Sequence, residues 1–486
     1  MKKIIVTLIG LFAIMVGVAL VRTARFTSRQ IQVPAAEDIP LDHDKMAERL
    51  SHAIQYKTIS DRALNPFAAA IFKRFHTFLA NAFPLVHAHL AKEIVGENSL
   101  LFTWKGRDNT LKPILLMGHM DVVPVDPKTE NDWTYPPFSG RIADGYLWGR
   151  GTMDDKVNVL GILEAAEYLI ANGFEPRRTL YFAFGHDEEV GGSNGAAKIA
   201  ALLQRRNIDL DYVLDEGGNI LDGIIPDITA PVALIGIAEK GYVSLELTVE
   251  SPGGHASTPP EHTAIGILSS AIAQLERSPF PARLSAPLRQ MFAFIGPEMP
   301  WPKQFALANL WLFEPLIRRQ FAQSPLTNAA IRTTQAATVF HSGVKENLLP
   351  AGAAAIVNVR ILPGDTVNGV IEHARRVIDD DRVKISTLEI RVEPSAISDP
   401  QSTAFQRLHR AIKEAAPGII VAPGLLVADT DSRHYAPLSR NIFRFLPITL
   451  RPEDARRFHG LNERISISDY ERCVRFFVQL MRASDS

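Results

Sequence analysis

Apolar and polar positions change rhythm several times along this chain, and each change marks an element. An uncharged, mostly apolar run fills Ile4 to Val21, with Lys2 and Lys3 before it and Arg22 and Arg25 after it. It is just long enough to cross a membrane. Residues 26–42 (FTSRQIQVPAAEDIPLD) are polar and contain prolines, which predicts a tether without regular structure. From Asp44 the texture is globular. Helical spacing predicts helices over 44–56 and 67–92. The apolar runs 111–119, 179–187 and 211–218 end in Gly-His, Gly-His-Asp and Asp-Glu-Gly-Gly, and read as buried strands feeding turns. Between them, 157–173 and 195–206 have helical spacing, and the first of these stops on Asn172-Gly173. Strands alternating with helices predict a mostly parallel α/β sheet flanked by helices.

The pattern shifts after Glu239. Residues 241–251 alternate like a half-buried strand, 263–278 form an amphipathic helix, and 353–364, 367–380 and 383–394 read as strand, helix and strand. That is the order of a small α+β domain. Helices return at 402–416 and 468–483. The expected organisation is a membrane anchor or signal segment at 1–25 and a tether at 26–43. A catalytic domain follows, split into 44–239 and 394–486 around an inserted smaller α+β lid or dimerisation domain at 240–393. Within the insert, Phe280, Phe292, Phe294, Trp301, Phe305, Trp311, Phe313 and Phe321 allow two readings: helical packing, or an apolar roof over a greasy substrate.

Composition narrows this picture. A chain of 486 residues suits two domains, and 46% apolar residues suit large buried cores. A formal charge of −1 gives no argument for nucleic acid or for anionic membrane surfaces. Cys473 is the single cysteine, so neither an intrachain disulfide nor a cysteine-rich structural zinc site is available. Any metal must be held by histidine and carboxylates. No A-x-A-like cleavage site precedes Arg22, which favours an uncleaved single-pass anchor with the catalytic domain outside the cytoplasm. A cleaved signal, leaving a secreted or periplasmic protein, is the alternative; a buried soluble helix is the plainest reading.

Six stretches carry the candidate chemistry: MGHMDVVP (117–124), GRGTMDDK (149–156), GHDEEVGG (185–192), LDEGG (214–218), GGHAS (253–257) and FHGLNE (458–463). Each places His, Asp or Glu where Gly or Pro forces a turn. In open α/β sheets ligands bind beyond the carboxyl ends of the strands, where His119, Glu188, Glu189 and Asp215 fall. His119 and Asp121 stand at i and i+2, on one side of an extended chain, so one can bind a metal while the other orients it. Asp154 lies in a glycine-rich turn before a helix, and a helix cap is its plain explanation. Glu188 and Glu189 are adjacent acids, costly together unless a cation or a shared proton compensates; a solvated loop is the plain alternative. His459, taken alone, would be incidental. As a set, the stretches supply the parts of a two-metal hydrolase site.

That set resembles the co-catalytic zinc exopeptidase family of aminoacylases, glutamate-releasing carboxypeptidases, acetylornithine deacetylases and Gly-Xaa carboxypeptidases. The resemblance covers residues 44–486 and extends to HSGVKENLLP, NVRILPGD, DTDSRHY and FHGLNERISI. The long middle segment and the N-terminal helix look most like the membrane-associated Gly-Xaa carboxypeptidase and N-fatty-acyl-amino-acid hydrolase branch. The resemblance implies two zinc ions, with cobalt or manganese also acceptable to such ligands, and Asp154 bridging them. His119 and Asp215 would complete one ion, Glu189 and His459 the other. Asp121 would be the carboxylate partner of His119, and Glu188 the general base. His255 would stabilise the oxyanion, and Asn347 and Arg360 would hold the substrate's carboxylate. A cis peptide is implied at Asp154–Asp155, and Asp431 with Arg433 fit an acid–base pair near the site. The implied reaction is hydrolysis of a small peptide or N-acyl amino acid. Some dimers of the family supply the oxyanion histidine across the subunit interface, so a homodimer stays open here. Two other readings compete. A biosynthetic deacylase of the acetylornithine or succinyl-diaminopimelate type does not suit the exported anchor and aromatic insert. A membrane-tethered binding protein that has lost catalysis would lack a ligand or the base, and every expected position is filled.

Overall fold

The computed structural model describes residues 1–34, 36, 39–60 and 66–484. Ala35, Glu37 and Asp38 of the expected tether, residues 61–65 and the last two residues lie outside the described residues.

The strands Leu180–Gly185, Ile114–His119, Tyr212–Asp215 and Ile442–Arg444 lie side by side and parallel at the centre of a ten-stranded sheet. Every residue of Ile114–His119 and Leu180–Gly185 is buried, as a parallel strand covered on both faces requires. Side chains alternate between two cores. Ile114 and Leu116 face one, with Phe182, Phe184, Leu163 and Phe477; Leu115 and Met117 face the other, with Ala183, Val213, Ile199 and Leu203. Ala91–Val95 and Ser99–Trp104 extend one side antiparallel. On the other side Val232–Glu239 runs antiparallel to Ile442–Arg444 and parallel to Ile420–Leu426.

The helix Lys156–Ala171 is buried on nearly every side, between the sheet and the C-terminal helix Ile467–Ala483. The two helices approach closely at Gly161, where a Cβ would stand 2.7 Å from Cys473 Sγ. Both helices match the expected 157–173 and 468–483 within a few residues. The expected helix 67–92 does not hold. Pro66–Ala82 ends two residues before Pro84, a short helix Pro84–His89 follows, and Ala91–Val95 is a strand. Proline lacks an N–H and pushes the residue before it out of helical geometry.

A separate four-stranded antiparallel sheet runs Thr334–Ser342, Gly352–Ile361, Gly241–Glu250, Val383–Val392. Helices Ala264–Arg277 and Val367–Ile378 pack on it around their own core of Val243, Leu245, Leu247, Val357, Val359, Leu268 and Val370. The chain enters this sheet through Lys240, whose buried ammonium donates to the carbonyls of Ala329 and Arg332.

Residues around Gln30, expected in a free tether, lie against the body. The Gln30 amide donates to Val421 O (2.9 Å) and its oxygen accepts from Val421 N (2.8 Å). The Arg29 guanidinium sits 5.4 Å from the Phe294 ring centre. Of the aromatic residues between 280 and 321, Phe292 packs on Phe321 and Phe294 on Phe405; helix Ala286–Ile295 lies on Ile420–Leu426. For these the packing reading applies. Trp301 and Trp311 face outward instead. Helix Lys2–Ala24 is long and apolar enough to cross a membrane, and among its residues only Ala19 and Thr23 are buried.

Candidate metal centre

The parallel strands deliver their carboxyl ends to one place. His119 is the last residue of its strand, Asp215 the last of its own, and the turn Glu188–Val190 follows Leu180–Gly185. His119 is buried, with Nε2 2.9 Å from Asp154 Oδ1 and 3.1 Å from Glu216 Oε1. The other Asp154 oxygen faces the second imidazole: Oδ2 is 3.1 Å from His459 Nε2, which is 3.2 Å from Glu189 Oε2. Two trios result, His119–Asp154–Glu216 and Asp154–Glu189–His459, sharing one carboxylate.

A further set of groups holds these in place. His119 Nδ1 faces Asp121, 3.0 Å from its carbonyl and 3.4 Å from its carboxylate. That carboxylate accepts from Ser60 Oγ (2.7 Å) and from the backbone N–H groups of Glu188 and Glu189 (3.2 and 3.1 Å). Asp121 therefore fixes both the histidine and the acidic turn. The Asp154 loop is held by Glu463, a fully buried residue. Its Oε1 accepts from Gly151 N (2.9 Å), Met153 N (2.8 Å) and Asp154 N (3.3 Å), and its Oε2 from Arg150 Nη1 (2.6 Å). The peptide Asp154–Asp155 is cis. Buried Asp155 accepts from His119 N (3.1 Å) and Asn158 Nδ2 (3.2 Å).

Asp215, expected beside His119, is engaged elsewhere. Its Oδ1 accepts from Glu216 N (3.0 Å) and its Oδ2 from Ser432 N (2.9 Å). Glu216, one residue on and past the strand end, reaches the imidazole instead. Glu216 and Glu463 are what sequence reasoning left without a role. Both stood inside quoted motifs, but neighbouring acids in a turn cannot be ranked without knowing which backbone N–H groups already claim one of them.

Other expected residues stand apart from the trios. His255 is exposed on the ribbon Gly254–His255, paired with Leu348–Leu349, and its Nδ1 contacts Ser257 Oγ (2.7 Å). Asn347 adjoins that ribbon, its carbonyl accepting from Ala256 N (3.1 Å). Arg360, on the four-stranded sheet, donates to Asp429 and stacks over Tyr242 at 4.9 Å. Asp429 also pairs with Arg433 (2.8 Å). Asp431 is buried beside Gly192, where a Cβ would collide with its carboxylate.

Electrostatics show what the trios lack. Burial pushes Glu216 up to about 8, with the Asp154 charge adding to it. Burial likewise lifts Glu188 well above the usual carboxylate range, although His119 opposes it; Asp431, Glu216 and Glu189 add to the rise. Burial opposes ionisation of Asp154, but His119 and His459 outweigh it and hold its carboxyl below the usual range. His459 rises to about 10 through its hydrogen bonds to Asp154 and Glu189. Among the described residues, Glu189 Oε1 is buried without a hydrogen-bond donor. Carboxylates outnumber imidazoles, and one oxygen is left over. Uncompensated buried charge is expensive, and a histidine-and-carboxylate set of this kind suits hard or borderline divalent cations. The residues fit such ions.

The pattern of peptidase family M20/M25/M40 matches residues 115–483. Probable carboxypeptidase S-like 2 of Dictyostelium discoideum is 43% identical, across 98% of this chain and 93% of that protein. The N-fatty-acyl-amino acid synthase/hydrolase PM20D1 of Homo sapiens is 42% identical, across 91% of this chain and 88% of its own length. Among solved structures, the M20 family metallo-carboxypeptidase Sso-CP2 from Sulfolobus solfataricus superposes with a TM-score of 0.66 at 16% identity, covering 90% of this chain and 99% of that one. That last likeness is one of fold.

Proposed function

This chain belongs to the peptidase family M20/M25/M40, and on that premise we propose that it hydrolyses the amide bond of small peptides or N-acyl amino acids with a pair of zinc ions, one per trio. Cobalt or manganese would suit the same donors. The observation that carries this reading is Asp154: its two oxygens face two different imidazoles, His119 and His459, as a carboxylate shared between two cations would. Glu216 stands at His119 where Asp215 was expected, so we assign Glu216 to that ion with Asp215 behind it.

Bound cations would polarise the amide carbonyl and acidify a water at neutral pH. The chain's own residues do the rest. Glu188 accepts the proton of the attacking water and delivers it to the leaving nitrogen; its raised proton affinity suits a group that must hold a proton between those steps. Asp121 keeps His119 in one orientation through Nδ1. Arg360 and Asn347 bind the free carboxylate of the substrate, Arg360 with its planar fork. Since Arg360 pairs with Asp429, the substrate's carboxylate has to displace that partner. We read residues 240–393 as a lid unit whose movement brings His255 to the oxyanion, from the same chain or from a second copy in a homodimer. We read Lys2–Ala24 as a retained anchor, with the body outside the cytoplasm.

The test is Glu188→Gln, assayed on a Gly-Xaa dipeptide and on an N-acyl amino acid, with metal content measured on the same preparation. Retained metal with turnover lower by roughly 10²–10⁴-fold is expected. Normal turnover with normal metal removes Glu188 from the mechanism. A folded preparation that takes up no divalent cation removes the reading itself.

A further inference from the structure

We propose that the bent pair of helices Trp301–Ala308 and Leu310–Phe321 is a bilayer-contact surface that seats the body on the membrane beside the N-terminal helix. This rests on reading that helix as a retained anchor. The second of these helices, Leu310–Phe321, buries Ile317 and packs Leu310 and Phe313 against the body. Its opposite side carries Trp311, Leu312, Pro315 and Leu316, all exposed. A helix lying on a body in water keeps polar residues on that side; here the side is apolar over its first two turns and becomes polar only at Arg319 and Gln320. Trp301 on the first helix is 58% exposed, Trp311 50% and Leu316 62%. Adjoining apolar residues of this size on one surface mark an interaction site.

Contacts to the N-terminal helix say what covers that surface. Asn309, which joins the two helices, is fully buried. Its amide donates to Ala19 O (3.1 Å) and Thr23 Oγ1 (3.1 Å), and its oxygen accepts from the indole N–H of Trp311 (3.2 Å). Arg22 Nε donates to Ala308 O (3.3 Å). Trp301 lines a cleft of about 510 Å³ together with Leu20, Thr23 and Ala24. Both tryptophans thus stand beside the last apolar turns of the helix, level with Arg22. A spanning helix leaves the hydrocarbon at that depth, and indole rings favour that boundary. Arg22, Arg25 and Arg319 can extend their charged ends to the headgroups. Loss of the N-terminal helix would strip buried Asn309 of two acceptors, which also favours its retention.

The experiment reconstitutes the full chain in phosphatidylcholine vesicles, with and without brominated acyl chains, and records tryptophan emission. Trp104, Trp133 and Trp148 are only 7–8% exposed, so lipid-phase quenching reports on Trp301 and Trp311. The expected result is loss of emission in brominated vesicles for the wild type and little loss for W301F/W311F. Aqueous iodide should quench the wild type no more than the double variant. Three outcomes overturn the proposal. If the chain floats with vesicles yet iodide rather than bromine quenches it, the anchor reading stands and the helix pair faces water. If emission follows protein concentration, and sedimentation shows a dimer that Trp311→Asp splits, a second copy covers the helix pair. If the chain does not float with vesicles, the anchor reading fails and takes the proposal with it. Should the double variant not fold, bromine and iodide quenching of the wild type decide alone.

Discussion

Removing the Glu463 carboxylate tests whether the Asp154 loop is positioned from beneath. Burial lifts Glu463 up to about 7, against the pull of Arg150, so the ion pair itself adds little net stability. Its deletion is another matter. Glu463→Ala leaves Arg150 buried without its carboxylate, and the N–H groups of Gly151 and Met153 without their acceptor. Breaking a buried pair from one side costs about 3–5 kcal/mol. At about 2 °C per kcal/mol for a domain of this size, the midpoint of thermal unfolding falls by roughly 6–10 °C. Glu463→Gln keeps an acceptor for the loop but turns an amide towards Arg150, and should cost less, about 1.5–3 kcal/mol. Because the loop carries Asp154, metal affinity should drop about 10–100-fold, the usual effect of losing a group behind a ligand. Calorimetry on chelated and metal-loaded protein separates the two effects. If the Ala variant melts with the wild type and binds metal equally well, Glu463 does not hold the loop.

Three other expectations can be checked in parallel. Glu216→Gln should weaken the ion at His119 more than Asp215→Asn does, read as bound metal per chain against a buffered series; the reverse order would restore Asp215 as the ligand. Arg360→Ala should raise KM for free-carboxylate substrates on the order of 10–100-fold, the worth of a charged hydrogen bond, and Asp429→Asn should lower it; equal effects on amidated analogues would mean structural damage. His409 is buried with neither ring nitrogen bonded among the described residues, and burial lowers it to about 4 from an ordinary 6.5. The unfolded chain therefore takes up this proton first, so the stability gained is complete above about pH 6.5 and is lost as pH falls towards 4. The loss at pH 5 is roughly 2 kcal/mol. His409→Phe should flatten the pH dependence of urea midpoints by that amount, while His76 and His434, also near 4, keep the remainder.

Much of this arrangement was legible in the sequence because its signals are local. A buried strand ending in Gly-His or Gly-His-Asp announces a parallel sheet and the acid that follows it. The proposed preference for Glu216 over Asp215 was not legible, since it rests on Ser432 N, a donor more than two hundred positions away. Pro84 was a local signal that helical spacing over 67–92 overrode. The docking of Gln30 on Val421 could not be read at all: a polar stretch with prolines looks free until the sheet edge that receives it is in place. Arg360 was assigned to substrate from its motif, but its present partner, Asp429, lies on a loop whose position only the folded chain defines.

The packing of Cys473 against Gly161 has a consequence beyond helix spacing. The thiol is fully buried and burial raises its proton affinity, so it offers no thiolate to an oxidant. With no second cysteine in the chain, the fold owes nothing to the glutathione balance around it. The same body can assemble in a reducing or an oxidising compartment, and a change of address during evolution would leave its interior untouched.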